Sequence, residues 1–276
     1  MSIITLTTDF GTKDHFVASV KGAILSQNIE ARIVDISHQI SPFNHLETAY
    51  ILKNAYKSFP KGTIHIIGVD SEHSPVNRHL AAKIDGQYFI CADNGILSFL
   101  TTDLKVEQIV EINIHDRIES SFPLLDIFVH VAMHIERGGQ LGVVGKEISQ
   151  IKTLNIRKAL FNEEANSIIA HIIYNDNYGN AVTNLSQSEF DQFAQGRGFK
   201  IRVGGHKFNK IHKNYSDVMD FSNFKDYKIY EGKGICLFNS SQLLEIALFR
   251  SNVNTFGGAS TLLGLKTNAT ITITFN

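Results

Sequence analysis

Apolar positions follow two rhythms in the first half of the chain. The short run Ile3-Ile4-Thr5-Leu6 ends at Thr7-Thr8-Asp9-Phe10-Gly11, and Phe16, Val20, Ala23 and Ile24 then recur at spacings of three and four. This pattern predicts a buried strand over residues 3–7 and an amphipathic helix after it. A second strand is expected over 32–36. After Pro42 a second helix follows, with Asn44 as its N-cap and Glu47 three residues on, as in a capping box. Leu46, Ala49, Leu52, Tyr56 and Phe59 form its apolar face, and Pro60 ends it. Residues 63–69 read as a β-branched strand running into Asp70. Residues 79–83 and 88–92 read as strands around the turn Asp85-Gly86, and 106–112 as another. Asp126 is expected to open a helix that stops at Arg137-Gly138-Gly139. Such alternation predicts an α/β domain with a mainly parallel sheet flanked by helices.

The rhythm changes in the second half. Residues 168–174, 200–203, 228–230, 234–238 and 269–275 read as short strands separated by turns such as Asp176-Asn177 and Gly204-Gly205, with one helix at 186–194. Short strands between turns predict a smaller β-rich domain, an antiparallel barrel or sandwich. The polar stretch Asn162-Glu163-Glu164-Ala165-Asn166 lacks periodicity and marks the boundary. The expected domains are 1–160 and 165–276.

Composition narrows the classes. In 276 residues, 43% hydrophobic and 19% charged positions suit a globular chain with a substantial core. Lys plus Arg is 26 against 27 Asp plus Glu, a net charge of −1. Near-neutrality without a basic stripe gives no electrostatic case for nucleic acid. No apolar stretch approaches the ~20 residues that span a bilayer. The N-terminus Met1-Ser2-Ile3-Ile4-Thr5 has no basic region or cleavage site, so a cytoplasmic protein without a membrane partner is expected. Cys91 and Cys236 lie in apolar runs and read as buried thiols.

Asp9 is the first residue with chemistry. It stands at the carboxyl end of a strand, where open α/β sheets bind ligands. A carboxylate there can accept hydrogen bonds from a ribose diol; capping of the next helix is the structural alternative. Its companions are Ile33-Val34-Asp35-Ile36-Ser37-His38, Gly68-Val69-Asp70, Ala92-Asp93-Asn94-Gly95, Asp126-Ile127-Phe128, Asp176-Asn177-Tyr178-Gly179-Asn180 with Thr183-Asn184, and Asn239-Ser240-Ser241 with Leu244-Glu245-Ile246-Ala247. In this order they resemble the S-adenosylmethionine hydroxide adenosyltransferase family, relatives of the bacterial fluorinase and chlorinase, from residue 3 to about residue 265. The resemblance implies the same two-domain layout and S-adenosylmethionine as substrate with no separate cofactor. It also implies a homotrimer whose sites are shared between neighbouring subunits. It places Asp9, with Phe10 beside it, at the ribose. Asp176 and Asn180 fall at the methionine amino group, and Ser240 and Ser241 at the methionine carboxylate. Asp, Asn and Gly also form tight turns, and both roles are compatible, because an ammonium needs acceptors.

The family reaction is displacement by water or hydroxide at the adenosyl 5′ carbon, with an Asp, an Arg and a His around the water. Asp70 matches the Asp and is expected to touch the attacking water. The rest departs from the pattern. The segment after it is Ser71-Glu72-His73-Ser74, the ungapped Arg position falls on Asn77 with Arg78 next to it, and Pro123 stands in Ser121-Phe122-Pro123-Leu124-Leu125-Asp126 where the family has its His. Proline has no ionisable group. His73, His130 or Arg78 are the replacements in view, and Asp70 and Arg78 are the expected catalytic residues. His130 and His134 have the i, i+4 spacing of zinc ligands, but the metalloprotease Glu and a third ligand are missing, so no metal is expected. The leading reading is a hydrolase that yields adenosine and methionine. The alternative is a non-catalytic binder of S-adenosylmethionine or adenosine. A halogenase is disfavoured: its relatives carry Tyr at the Asp70 position and an extra loop after it, which the span 71–92 has no room for.

Overall fold

The apolar run at the N-terminus becomes the strand on which the first sheet is built. A computed structural model describes residues 2–101, 104–118, 120–223 and 226–276, and the chain divides into two compact units, Met1–Asn155 and Ile156–Asn276.

The first unit runs β1 (Ile3–Thr8), α1 (Phe16–Gln27), β2 (Arg32–Ser37), α2 (His45–Ala55), β3 (Ile64–Gly68), β4 (His79–Ile84), β5 (Gln87–Ala92), α3 (Ile96–Thr101), β6 (Val106–Ile112), α4 (Val129–Glu136), α5 (Leu141–Val144) and β7 (Gly145–Glu147). The strand order is β2-β1-β3-β5-β4-β6-β7. Pairs β1–β2, β1–β3 and β3–β5 are parallel, whereas β5–β4, β4–β6 and β6–β7 are antiparallel. The sheet is therefore mixed rather than mainly parallel. The cause is local: Asp85-Gly86 closes β4 and β5 into a tight hairpin, with Asp85 and Gly86 both at positive φ (49° and 74°), and a hairpin makes antiparallel neighbours. Alternate residues of the strands feed two cores. Ile4, Leu6, Ile64, Ile66, Ala81 and Ile90 pack with Val20 and Ile24 of α1 and with α4. Ile67, Leu80, Ala82, Phe89 and Cys91 pack with Ala49, Leu52 and Tyr56. The period of two thus covers both faces with helices.

Two local expectations change. Asn44 caps α2 by accepting from the Glu47 N–H (3.1 Å), but the Glu47 carboxylate takes the Ser41 N–H and the Asn44 side-chain amide instead of closing the box, because the Asn44 N–H already donates to the Ser41 carbonyl. Asp126 does not open a helix. The chain is already helical at Pro123, and Asp126 lies inside a π-helical turn, Leu124–Phe128, that leads into α4. Proline suits a helix start, where its missing N–H has no partner to lose.

The second unit runs β8 (Leu160–Asn162), β9 (Ser167–Asn175), β10 (Ala181–Ser186), α6 (Gln187–Ala194), β11 (Phe199–Val203), β12 (His206–Phe208), β13 (Gly234–Phe238), β14 (Leu243–Leu248), α7 (Ala259–Leu262) and β15 (Thr270–Phe275). Its sheet has the order β12-β11-β15-β9-β10-β14-β13, with β8 beside β9, and every pairing is antiparallel. Phe208 on the first strand of this order lies over Gly234 on the last, so the sheet nearly closes into a barrel. The expected strand at 228–230 is instead part of a 3-10 turn, Tyr227–Tyr230, capped by the Asp226 side chain. α6 carries a complete capping box between Ser186 and Glu189.

Candidate active site

In the first unit the chemistry gathers at the carboxyl ends of β1 and β3, which pair in parallel up to Thr8 and Gly68. Asp9 follows β1 directly, and Asp70 lies two residues beyond β3. Both are tied to the same short stretch of chain at the start of α2. Asp9 Oδ2 accepts the Phe43 N–H (3.0 Å), and Asp70 Oδ2 lies 2.9 Å from His45 Nε2. Phe43 and Asp70 both have left-handed backbones (φ 60° and 46°), a costly conformation for a bulky side chain that clusters at functional sites. Below Asp9, Thr8 Oγ1 and His38 Nδ1 are 2.7 Å apart. Asp35 pairs with Lys21 (2.6 Å) and His38 (3.1 Å). Burial pushes the Asp35 carboxyl up, but these two partners outweigh it and hold it below the usual range.

The chain after Asp70 is braced by amides. Asn77 Nδ2 donates to the carbonyls of Asp70 (3.0 Å) and Glu72 (2.8 Å), and Asn94 Nδ2 donates to Val69 O (3.0 Å). Arg78, expected at the water, is committed elsewhere. Its guanidinium binds Asp93 (2.6 Å), Glu111 (3.0 Å) and the Gln150 carbonyl (3.1 Å); its pKa is raised, chiefly by the Asp93 bond. Among the described residues no ion pair joins it to Asp70. Arg78 thus anchors the start of β4 to the buried Asp93, and Asp70 is brought together with His45 instead.

The helix that Pro123 begins reaches the same strand ends. Leu124 packs so closely on Gly68 that a Cβ there would lie 1.7 Å from its Cδ1, so β3 needs glycine at this crossing. Phe10, Phe16 and Phe122 form an aromatic group with centroid distances of 5.5–5.6 Å, next to Asp9. The other histidines in view do not meet Asp70. His73 stacks on His115 (3.9 Å), and His115 Nε2 lies 2.8 Å from the buried His79 Nδ1. His130 is exposed, and His134 Nε2 donates to Gln140 O (3.0 Å). Among the described residues, no group of three or more His, Cys, Asp or Glu is arranged to hold a metal.

In the second unit the turn between β9 and β10 is built on Asp176. Its Oδ1 accepts the N–H groups of Tyr178 (2.9 Å) and Asn180 (2.8 Å), and its Oδ2 the Asn180 side-chain amide (2.9 Å). Ser240 and Ser241 sit in the turn from β13 to β14, where Asn239 Oδ1 accepts the Ser241 N–H (2.9 Å). Glu245, a buried carboxylate on β14 opposite Val182, braces the second of these turns. It accepts hydrogen bonds from Asn239 Nδ2 (3.1 Å) and from the Tyr215 hydroxyl. Burial raises its pKa against those bonds, and the nearby Asp176 charge raises it further.

His45 is the residue that the sequence passes over, and Glu245, although it stands in the motif Leu244-Glu245-Ile246-Ala247, has no role assigned from the sequence. Glu245 carries a signal, a carboxylate inside an apolar strand run. His45 carries none, since 25 residues of chain separate it from Asp70 and the strand order brings them together.

A family model described as SAM hydroxide adenosyltransferase N-terminal domain matches residues 4–145, and the corresponding C-terminal domain model matches residues 170–272. A protein of Methanocaldococcus jannaschii named (R)-S-adenosyl-L-methionine hydrolase is 30% identical over 262 residues, covering 92% of this chain and 91% of its own. A fluorinase of an Actinoplanes species is 22% identical over 230 residues, 73% of this chain and 77% of its own. The crystal structure of a conserved protein from Thermotoga maritima superposes with a TM-score of 0.83 at 28% identity, covering 99% of this chain and all of that one.

Proposed function

The chain belongs to the SAM hydroxide adenosyltransferase family, and from that premise we propose that it hydrolyses S-adenosyl-L-methionine to adenosine and L-methionine. The observation that carries the site is the convergence of Asp9 and Asp70 on residues 43–45 at neighbouring strand ends. Asp9 accepts the ribose hydroxyls beside the Phe10 ring. Asp70 readies the water at the 5′ carbon, and Arg78 keeps the loop behind it in place through Asp93 and Glu111. Water attacks C5′, the C5′–S bond breaks, its electron pair stays on sulfur, and methionine leaves as a neutral thioether. Asp176 and Asn180 receive the methionine ammonium, and Ser240 and Ser241 its carboxylate. S-adenosylmethionine is the substrate and no cofactor takes part. A homotrimer, with each site shared between subunits, completes the reading.

The Methanocaldococcus relative is named for the R configuration at sulfur, and we carry that preference over. Pro123, which opens a helix and supplies no ionisable group, favours one rival, a binder that has lost turnover. The test is incubation with each sulfonium epimer, followed by chromatography. Adenosine and methionine are expected in equal amounts, faster from the R epimer, and absent with Asp70→Asn although that variant still binds adenosine. Intact substrate with measurable binding to the unaltered protein would establish the binder instead.

A further inference from the structure

Hydrolysis needs an acceptor for the proton that water loses as it attacks. Carboxylates ordinarily titrate near pH 4, so one alone is a weak base at neutral pH, whereas an imidazole ordinarily titrates at about 6.5. The Asp70–His45 contact fixes which ring nitrogen is open. An ionised carboxylate only accepts hydrogen bonds, so at 2.9 Å His45 Nε2 carries the proton and donates it to Asp70 Oδ2. In the neutral ring Nδ1 is then a bare lone pair. It has no hydrogen-bond partner among the described residues, and the side chain is 28% exposed, which leaves room for a water. The ring's position is set by its backbone. His45 is the first residue of α2, two residues after the Phe43 N–H that holds Asp9, so the imidazole is fixed relative to the residue proposed for the ribose. A carboxylate that orients an imidazole through one nitrogen, leaving the other to take a proton, is a recurrent device for activating a hydroxyl nucleophile.

We infer that His45 is the general base of the reaction, with Asp70 orienting it. The inference rests on the hydrolase reading. His45 Nδ1 takes one proton from the water as its oxygen bonds to C5′ and the C5′–S pair withdraws onto sulfur. Asp70 stabilises the imidazolium that results, and the ring returns the proton to solvent after adenosine leaves.

His45→Gln separates this role from simple bracing, because the glutamine amide can still donate to Asp70 but cannot take a proton. The expected result is a fall in kcat of about 10²–10⁴-fold, the usual cost of one positioned acid–base group, with adenosine affinity by calorimetry unchanged within about twofold. In His45→Ala, added imidazole should restore turnover in proportion to its concentration. Full kcat in His45→Gln, or a loss in His45→Ala that imidazole does not repair, would reduce His45 to a brace for Asp70 and overturn the inference. The unaltered protein serves as a separate control: if it binds adenosine but turns over neither epimer, the hydrolase reading itself fails and this base with it.

Discussion

Asp9 holds a structural bond with one oxygen and, in the proposed reading, a ligand with the other. Its Oδ2 is occupied by the Phe43 N–H, which leaves Oδ1 for a ribose hydroxyl. A hydrogen bond to a charged group contributes about 1.5–3 kcal/mol. Asp9→Ala should therefore weaken adenosine binding by about 10–100-fold in calorimetry. Asp9→Asn keeps an oxygen for Phe43 and should lose less. An affinity in Asp9→Ala equal to that of the unaltered chain would remove Asp9 from the ribose. Arg78 teaches the opposite lesson. Its place in the sequence points to the water, but its hydrogen bonds in the fold go to Asp93, Glu111 and the Gln150 carbonyl.

At the scale of elements, β3 and β4 each bury a histidine. His65 lies between Thr5 Oγ1 and Gln87 Oε1 at 2.7 Å each and stacks on Phe89. Burial pulls its pKa down to about 4, partly opposed by the Gln87 bond. Burial also takes His79 down to about 3, against its bond to Ser71 O (3.0 Å). Both folded-state values are depressed, so between pH 6.5 and these values the unfolded chain binds protons that the folded one refuses. The stabilisation is complete above about pH 6.5 and is lost as pH falls through the window, by up to about 1.4 kcal/mol per pH unit for each histidine. Urea unfolding from pH 7 to pH 4 should show a falling midpoint. A His65→Gln variant should show a shallower dependence, by about one proton. Equal slopes in the two proteins would mean that His65 is not held neutral in the fold.

At the scale of the whole molecule, the proposed site needs groups from both units: Asp9 and Asp70 from the first, Asp176 and Ser240 from the second. In the proposed assembly, units of neighbouring subunits combine, and head-to-tail contacts that close give a cyclic oligomer. Light scattering should then give a mass of three times the 30.8 kDa chain. A monomer at micromolar concentration that still turned over substrate would remove the shared site. No helix among the described residues is long and apolar enough to cross a membrane.

By itself, the sequence determined whatever is written in local period and local chemistry. The apolar runs and spacings set β1, β3, α1 and α2, the Asp85-Gly86 turn set a hairpin, and the motif order set the family. These follow from neighbours a few residues apart. Tertiary structure decided what depends on strand order and close approach. Antiparallel β4 and β6 make the first sheet mixed. Strands β10 and β14, broken by bulges in their pairing, lack the clean alternation that would have marked them. Pro123 begins a helix that seats Leu124 on Gly68, a contact across 56 residues that no local pattern encodes. His45 meets Asp70 because β1 and β3 are parallel neighbours with α2 leading back across their ends. A period records which face a side chain occupies, and only the assembled sheet decides what stands opposite it.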